Sequence, residues 1–116
     1  MMTRADAEAN PDVITGTFPV QGVRAFVLFD TGASISVVST TFADKALLVP
    51  CTAESTPISL PSGEMVSWST LYPDVPISFA GTVFPSTLLR FPLSEFDVIL
   101  GMDWLSKYDA RFLCRD

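Results

Sequence analysis

Asp30, Thr31 and Gly32 break the apolar run "VLFDTGASISVV" with the one carboxylate it contains. Asp and Gly together also mark ordinary turns, because Asp bonds its own backbone and Gly accepts positive φ. Asp30 is therefore either a turn residue or an acid that does chemistry. The chemistry open to it is narrow. The 116 residues include no histidine, which removes Ser-His and Cys-His nucleophilic pairs and His-ligated metal sites. Cys51 and Cys114 lie far apart and form no CxxC pair, so they read as two idle thiols of a reducing compartment. An enzyme with this composition must use carboxylates as acid and base. One carboxylate can take a proton from water while a second group supplies a proton. Two aspartates held close do both jobs, since like charges at hydrogen-bonding distance share one proton. The sequence holds a single Asp-Thr-Gly, so the second carboxylate would come from a second copy of the chain.

The elements that would position Asp30 are short. "VITGTFPV" and "VRAFVLF" are rich in β-branched and aromatic residues, and Gln21-Gly22 between them predicts a hairpin. "SISVV" reads as a strand. Thr41 with Asp44 three residues on resembles a capping box, which predicts a short helix near 41–47. Thr56 to Trp68 reads as two short strands around Pro61-Ser62-Gly63-Glu64, a projecting hairpin with a polar tip. Val75 to Leu89 is a further hairpin turning at Ala80-Gly81. "FDVILG" is a buried strand, and "MDWLSKY" after it a short helix with Asp103 in its first turn, where the dipole favours an anion. "ARFLC" is a last strand. A hairpin, a strand ending in an Asp or Gly turn, and a short helix thus occur twice, which suggests a compact β domain with twofold-like halves.

Bulk properties agree. The length suits one domain, with residues 1–11 as a disordered lead-in and 12–116 as the folded part. Apolar residues make up 48% and charged residues 17%, which is globular composition. Nine prolines and six glycines spread along the chain favour short strands and turns. A net charge of −6 without a basic cluster would repel a phosphate backbone, so no nucleic-acid partner is expected. The apolar runs fall far short of a membrane span, and "MMTRADAEANPD" has no apolar stretch of a secretion signal. A cytoplasmic protein with no membrane partner is the expectation.

"VLFDTGAS", "VILGMDWL" about 65 residues on, and the Pro-Ser-Gly-Glu hairpin between them together resemble a retropepsin. The sequence is most similar to protease domains of gypsy-like LTR retrotransposons, over roughly residues 12–116, and "FDVILGMDWLSKYDARFLCRD" is similar to their closing segment. The resemblance implies an all-β, pepsin-like half-barrel with one or two short helices, two chains forming one active site. It implies a homodimeric aspartic endopeptidase that processes a retroelement Gag-Pol polyprotein, with localisation to the cytoplasm or to virus-like particles, and no metal or cofactor. Asp30 would be the catalytic acid. Thr31 would bond across the dimer axis, and Gly32 would let backbone approach substrate. The Thr56–Trp68 hairpin would be the flap, with Gly63 near its tip. Ile99-Leu100-Gly101 would pack behind the catalytic loop, and Leu28 and Ile99 would face substrate side chains.

Two positions depart from the retroviral pattern. Retroviral relatives usually place an acid just after "DTGA" and an arginine just after the second-half glycine, as an ion pair. Here those positions are Ser34 and Met102, so both charges are absent together and none is left unpaired. Asp97 and Asp103 are the rival acids. Asp103 reads as a helix-start anion and Asp97 as a hydrogen-bonded structural residue. Trp104 reads as core, and Trp68 as packing at the hairpin base or lining the cleft. Two rival functions are a non-catalytic retropepsin-fold dimerisation or peptide-binding module of a cellular protein, and a β-barrel interaction domain with no site.

Overall fold

A computed structural model of the chain describes residues 13–59 and 65–109. Strands β1 (Val13–Val20) and β2 (Val23–Asp30) pair antiparallel from Val20↔Val23 out to Val13↔Asp30. Gln21 and Gly22 join them with φ of 50° and 78°. Two successive left-handed residues match the twist of a two-residue hairpin, and Gly22 adopts that conformation without a Cβ penalty. Strands β5 (Met65–Phe79) and β6 (Thr82–Phe91) repeat the device through Ala80 and Gly81, at φ 49° and 83°. Both hairpins turn where the sequence places them.

The remaining elements are β3 (Val37–Ser39), α1 (Thr40–Lys45), β4 (Cys51–Ser59), β7 (Val98–Leu100) and α2 (Met102–Lys107). Strand order in the sheet is β1-β2-β7-β3-β6-β5-β4, and a further pairing of Val20 with Ile77 joins β1 to β5. The sheet therefore curls on itself like a barrel. The succession hairpin, strand, helix does occur twice, as β1-β2-β3-α1 and as β5-β6-β7-α2.

The central strands are buried on both faces, which is why "FVLF" and "VIL" are continuous apolar runs rather than alternating ones. Ala25, Val27 and Phe29 of β2 join Val98, Leu100, Phe42, Leu88 and Trp104 in the main core. Leu28 and Ile99 point the other way, into a second cluster with Val13 and Phe96. The alternation of side chains along β2 puts Asp30 on this second face. An aromatic group steadies the opposite side: Trp104 meets Phe29, Phe79 and Phe84 edge-on, at centroid separations of 6.0, 5.5 and 5.7 Å. Trp104 is core, as expected.

Three local expectations are revised. Helix α1 spans Thr40–Lys45 and is capped by Ser39, not by Thr41: the Ser39 hydroxyl accepts the Phe42 N–H at 3.0 Å. The reason is tertiary. Ser39 donates its own N–H to the Asp97 carbonyl at 2.8 Å, which keeps it extended at the helix entrance. The strand expected in "SISVV" is confined to Val37–Ser39, since the residues before it serve the Asp30 loop. The arm expected over Thr56–Trp68 is longer. β4 pairs with β5 from Cys51↔Leu71 to Ser59↔Met65, and β5 continues for 15 residues into the core hairpin. It bends at a register shift between Tyr72 and Val75, where Asp74 has φ 54°. The Pro61–Glu64 tip with Gly63, the side chain of Trp68, the lead-in and the "ARFLC" strand with Cys114 lie outside the described residues.

Candidate active site

Asp30 is the last residue of β2, opposite Val13 in the ladder and half-buried. The chain turns there. The Gly32 N–H donates to Asp30 Oδ1 at 2.8 Å, and the Ala33 N–H to the Asp30 carbonyl at 3.1 Å. The first bond orients the carboxylate and the second closes the turn. A Cβ on Gly32 would lie 3.2 Å from Asp30 Oδ1, so a side chain there would crowd the carboxylate. Thr31 and Gly32 are exposed beside it. Asp30, Thr31 and Gly32 thus form one outward-facing group on a strand packed on both faces.

The loop is backed by the β7–α2 junction. Gly101 is buried, and a Cβ on it would meet the Ala33 carbonyl oxygen at 2.6 Å and the Ile35 oxygen at 3.0 Å. Only glycine allows that approach. The Met102 N–H donates to the Ala33 carbonyl at 2.7 Å, and the Asp103 N–H to the Ser34 carbonyl at 3.2 Å. Of the Ile99-Leu100-Gly101 segment expected behind this loop, Gly101 makes the close approach to it. Ser36, which sequence reasoning passed over, is buried beneath the loop and bonded to Asp103. A serine in "SISVV" carries no signal of that role, because its partner is 67 residues away.

Asp97 is structural. Its Oδ2 accepts the Phe26 N–H at 2.8 Å, and its own N–H donates to the Phe26 carbonyl at 2.9 Å. These bonds extend the β2–β7 pairing and set Phe96 over Phe26, with rings stacked at 5.3 Å. Leu28, expected to face substrate, has no exposed surface in the single chain, because Val13, Phe96 and Ile99 cover it. Ile99 keeps 8% exposure on the same face. Among the described residues no group of three or more His, Cys, Asp or Glu is arranged to hold a metal ion. No helix there is long and apolar enough to cross a membrane.

Comparison with known proteins adds the fold and the family. No match is found among curated proteins. Among solved structures the chain is similar to EIAV protease complexed with the inhibitor HBY-793. The TM-score is 0.66 at 23% identity, covering 89% of this chain and 94% of that one. It is likewise similar to the retroviral protease-like domain of Ddi1 from Leishmania major, at a TM-score of 0.67 and 16% identity, covering 86% and 80% of the two chains. The barrel-like, mostly β architecture with two short helices is that of retroviral proteases. The family model for retroviral aspartyl proteases matches residues 1–116, and the chain belongs to that family.

Proposed function

We propose that this chain is one half of a homodimeric aspartic endopeptidase whose site lies on a twofold axis, with one Asp30 from each copy. The observation that carries the reading is the Asp30 turn. Its carboxylate is oriented by the Gly32 N–H at 2.8 Å, on a loop braced from behind by Gly101, and flanked by exposed Thr31 and Gly32. One chain offers one such carboxylate, and peptide hydrolysis by carboxylates needs two. Across the axis, the ionised Asp30 takes a proton from water as the water oxygen attacks the scissile carbonyl carbon. The protonated Asp30 gives its proton to the carbonyl oxygen. Collapse of the tetrahedral species breaks the C–N bond, and a proton returns to the leaving amine. Thr31 reaches across the axis, and Gly32 leaves room for the peptide backbone. Ile99, backed by Leu28, offers an apolar surface to substrate side chains, and the β4–β5 arm, with the intervening sequence that includes Gly63, closes over the peptide. The substrate is the polyprotein of a retroelement, cut beside apolar or aromatic residues in the cytoplasm or in assembled particles.

Incubation of the chain with a diverse peptide library across acidic and neutral pH, with cut sites read by mass spectrometry, tests the reading. Cleavage should appear with the unmodified chain and be blocked by a mimic of the hydrated amide. Asp30→Asn should lower the rate by at least about a thousandfold, since the shared proton and both roles are lost. The variant dimer should persist in sedimentation, because carboxylate repulsion is relieved. Cleavage that survives in folded Asp30→Asn refutes the assignment.

A further inference from the structure

Asp103 and Ser36 take no part in the proposed chemistry, yet together they hold the loop that would perform it. The Asp103 carboxylate gathers three donors. Its Oδ1 accepts the Ser36 hydroxyl at 2.6 Å and the Trp104 N–H at 2.7 Å, and its Oδ2 accepts the Ser36 N–H at 3.1 Å. Ser36 is 1% exposed, and its polar atoms are all engaged. The hydroxyl proton goes to Asp103, the hydroxyl oxygen takes the Gly101 N–H at 3.0 Å, and the Ser36 carbonyl takes the Leu89 N–H at 3.1 Å. Two segments distant from it in the sequence, Leu89 and the Gly101–Asp103 junction, therefore fix this one residue. From Ser36 the constraint runs back along the chain. Ala33 gives its carbonyl to Met102 and its N–H to the Asp30 carbonyl. The segment from Asp30 to Ser36 is thus tied at both ends and in the middle, and Asp103 supplies two of the ties at the far end.

We infer that Asp103 is a positioning residue for the Asp30 turn, acting through Ser36. The inference rests on the peptidase reading above. A carboxylate is required because its oxygens only accept. Asparagine has one acceptor oxygen, and in either orientation its NH2 would face a backbone N–H, that of Ser36 or that of Trp104. A donor turned against the N–H of buried Ser36 leaves that group without its acceptor and loosens the loop, and small displacements of a reacting group are costly in rate.

The test compares the unmodified chain with Asp103→Asn, Asp103→Glu and Ser36→Ala, assayed as dimers well below their unfolding temperatures. In folded Asp103→Asn, kcat should fall about ten- to hundredfold. KM should stay within about twofold, as expected when the loss falls on the transition state. Asp103→Glu, which keeps both acceptor oxygens, should recover part of the lost kcat. If Asp103→Asn does not fold, Ser36→Ala carries the test, since it deletes one hydroxyl and leaves the backbone contacts. An undiminished kcat in the folded variant, or a loss that only matches the unfolded fraction, overturns the inference. Amide exchange at Gly32 and Ala33 gives a second reading that does not depend on turnover. It should quicken by about tenfold or more in the variant, with the β5–β6 hairpin unchanged. Unaltered exchange at both amides overturns the inference as well. An unmodified chain that cuts no peptide refutes the peptidase reading alone, and the exchange data still decide whether Asp103 orders the loop.

Discussion

Adding one methyl group at Gly101 should damage turnover more than folding. Gly101 has φ −99° and ψ −167°, extended backbone that alanine adopts freely, so the effect of Gly101→Ala is steric alone. The new Cβ would sit 2.6 Å from the Ala33 carbonyl oxygen, whereas ordinary contact begins at 3.4 Å. The difference, 3.4 − 2.6 = 0.8 Å, must be taken up by main chain, because the atoms met are the Ala33 and Ile35 backbone. Ala33 closes the Asp30 turn through its N–H, so the displacement passes to the residue that carries the carboxylate. Overpacking of this kind costs about 1–3 kcal/mol of stability. A shift near 1 Å at a reacting group costs roughly a hundredfold in rate. Peptide hydrolysis and thermal unfolding of the same samples separate the two. Gly16→Ala is the control. Its Cβ would also lie 2.6 Å from a neighbour, but that neighbour is the outer edge of the Phe18 ring, which can rotate away. Gly16→Ala should therefore lose stability and keep kcat. A folded Gly101→Ala dimer with the kcat of the unmodified chain would show that the Ala33–Gly101 approach does not hold the Asp30 turn.

Activity per chain should fall on dilution, since dimer occupancy follows mass action, and specific activity that stays flat where sedimentation shows only monomers refutes the two-chain site. The dimer should tolerate salt, because Ser34 and Met102, the latter 40% exposed, stand where an ion pair would be screened. Between about 0.05 and 0.5 M salt its dissociation constant should change less than about threefold, and a tenfold weakening would point to a charged contact. Leu47→Gly should stabilise the chain. Leu47 has φ 56° at the end of α1 and is 78% exposed, and its N–H and that of Leu48 bond back to Asp44 and Ala43, a helix end that glycine usually fills. Relief of the left-handed conformation is worth about 1–2 kcal/mol, offset in part by glycine's entropy, for a net gain of about 0.5 kcal/mol. A lower Tm in the variant would mean that the Leu47 side chain packs against something.

Much of the architecture was legible because it rests on local chemistry. Gln21-Gly22 and Ala80-Gly81 are turns in any context that brings apolar strands to either side, since the left-handed conformation is available there. "FVLF" and "VIL" read as buried strands because a run without polar residues needs cover on both faces. Asp30 stood out as a carboxylate that an apolar run would not otherwise contain, and the absence of histidine confined any acid-base chemistry to carboxylates.

What the sequence left open depends on partners distant along the chain. Thr41 looked like the helix cap, but Ser39 is, because the Asp97 carbonyl holds Ser39 extended. Leu28 is expected to face substrate by resemblance, and what the sequence does not show is that in the single chain it is buried in a cluster with Val13, Phe96 and Ile99. Asp103 was legible as a helix-start anion, not as the acceptor for Ser36, and nothing local to Ser36 marks it as the residue beneath the Asp30 loop. By itself the sequence determined residue types, turn positions, strand burial and the single carboxylate motif, because these follow from side-chain chemistry within a few residues. Only the tertiary structure decided which partners the structural carboxylates take, which glycine must stay bare and what braces Asp30. Those depend on atoms brought within about 3 Å across some 70 residues of chain, and distances of that kind exist only once the sheet has closed.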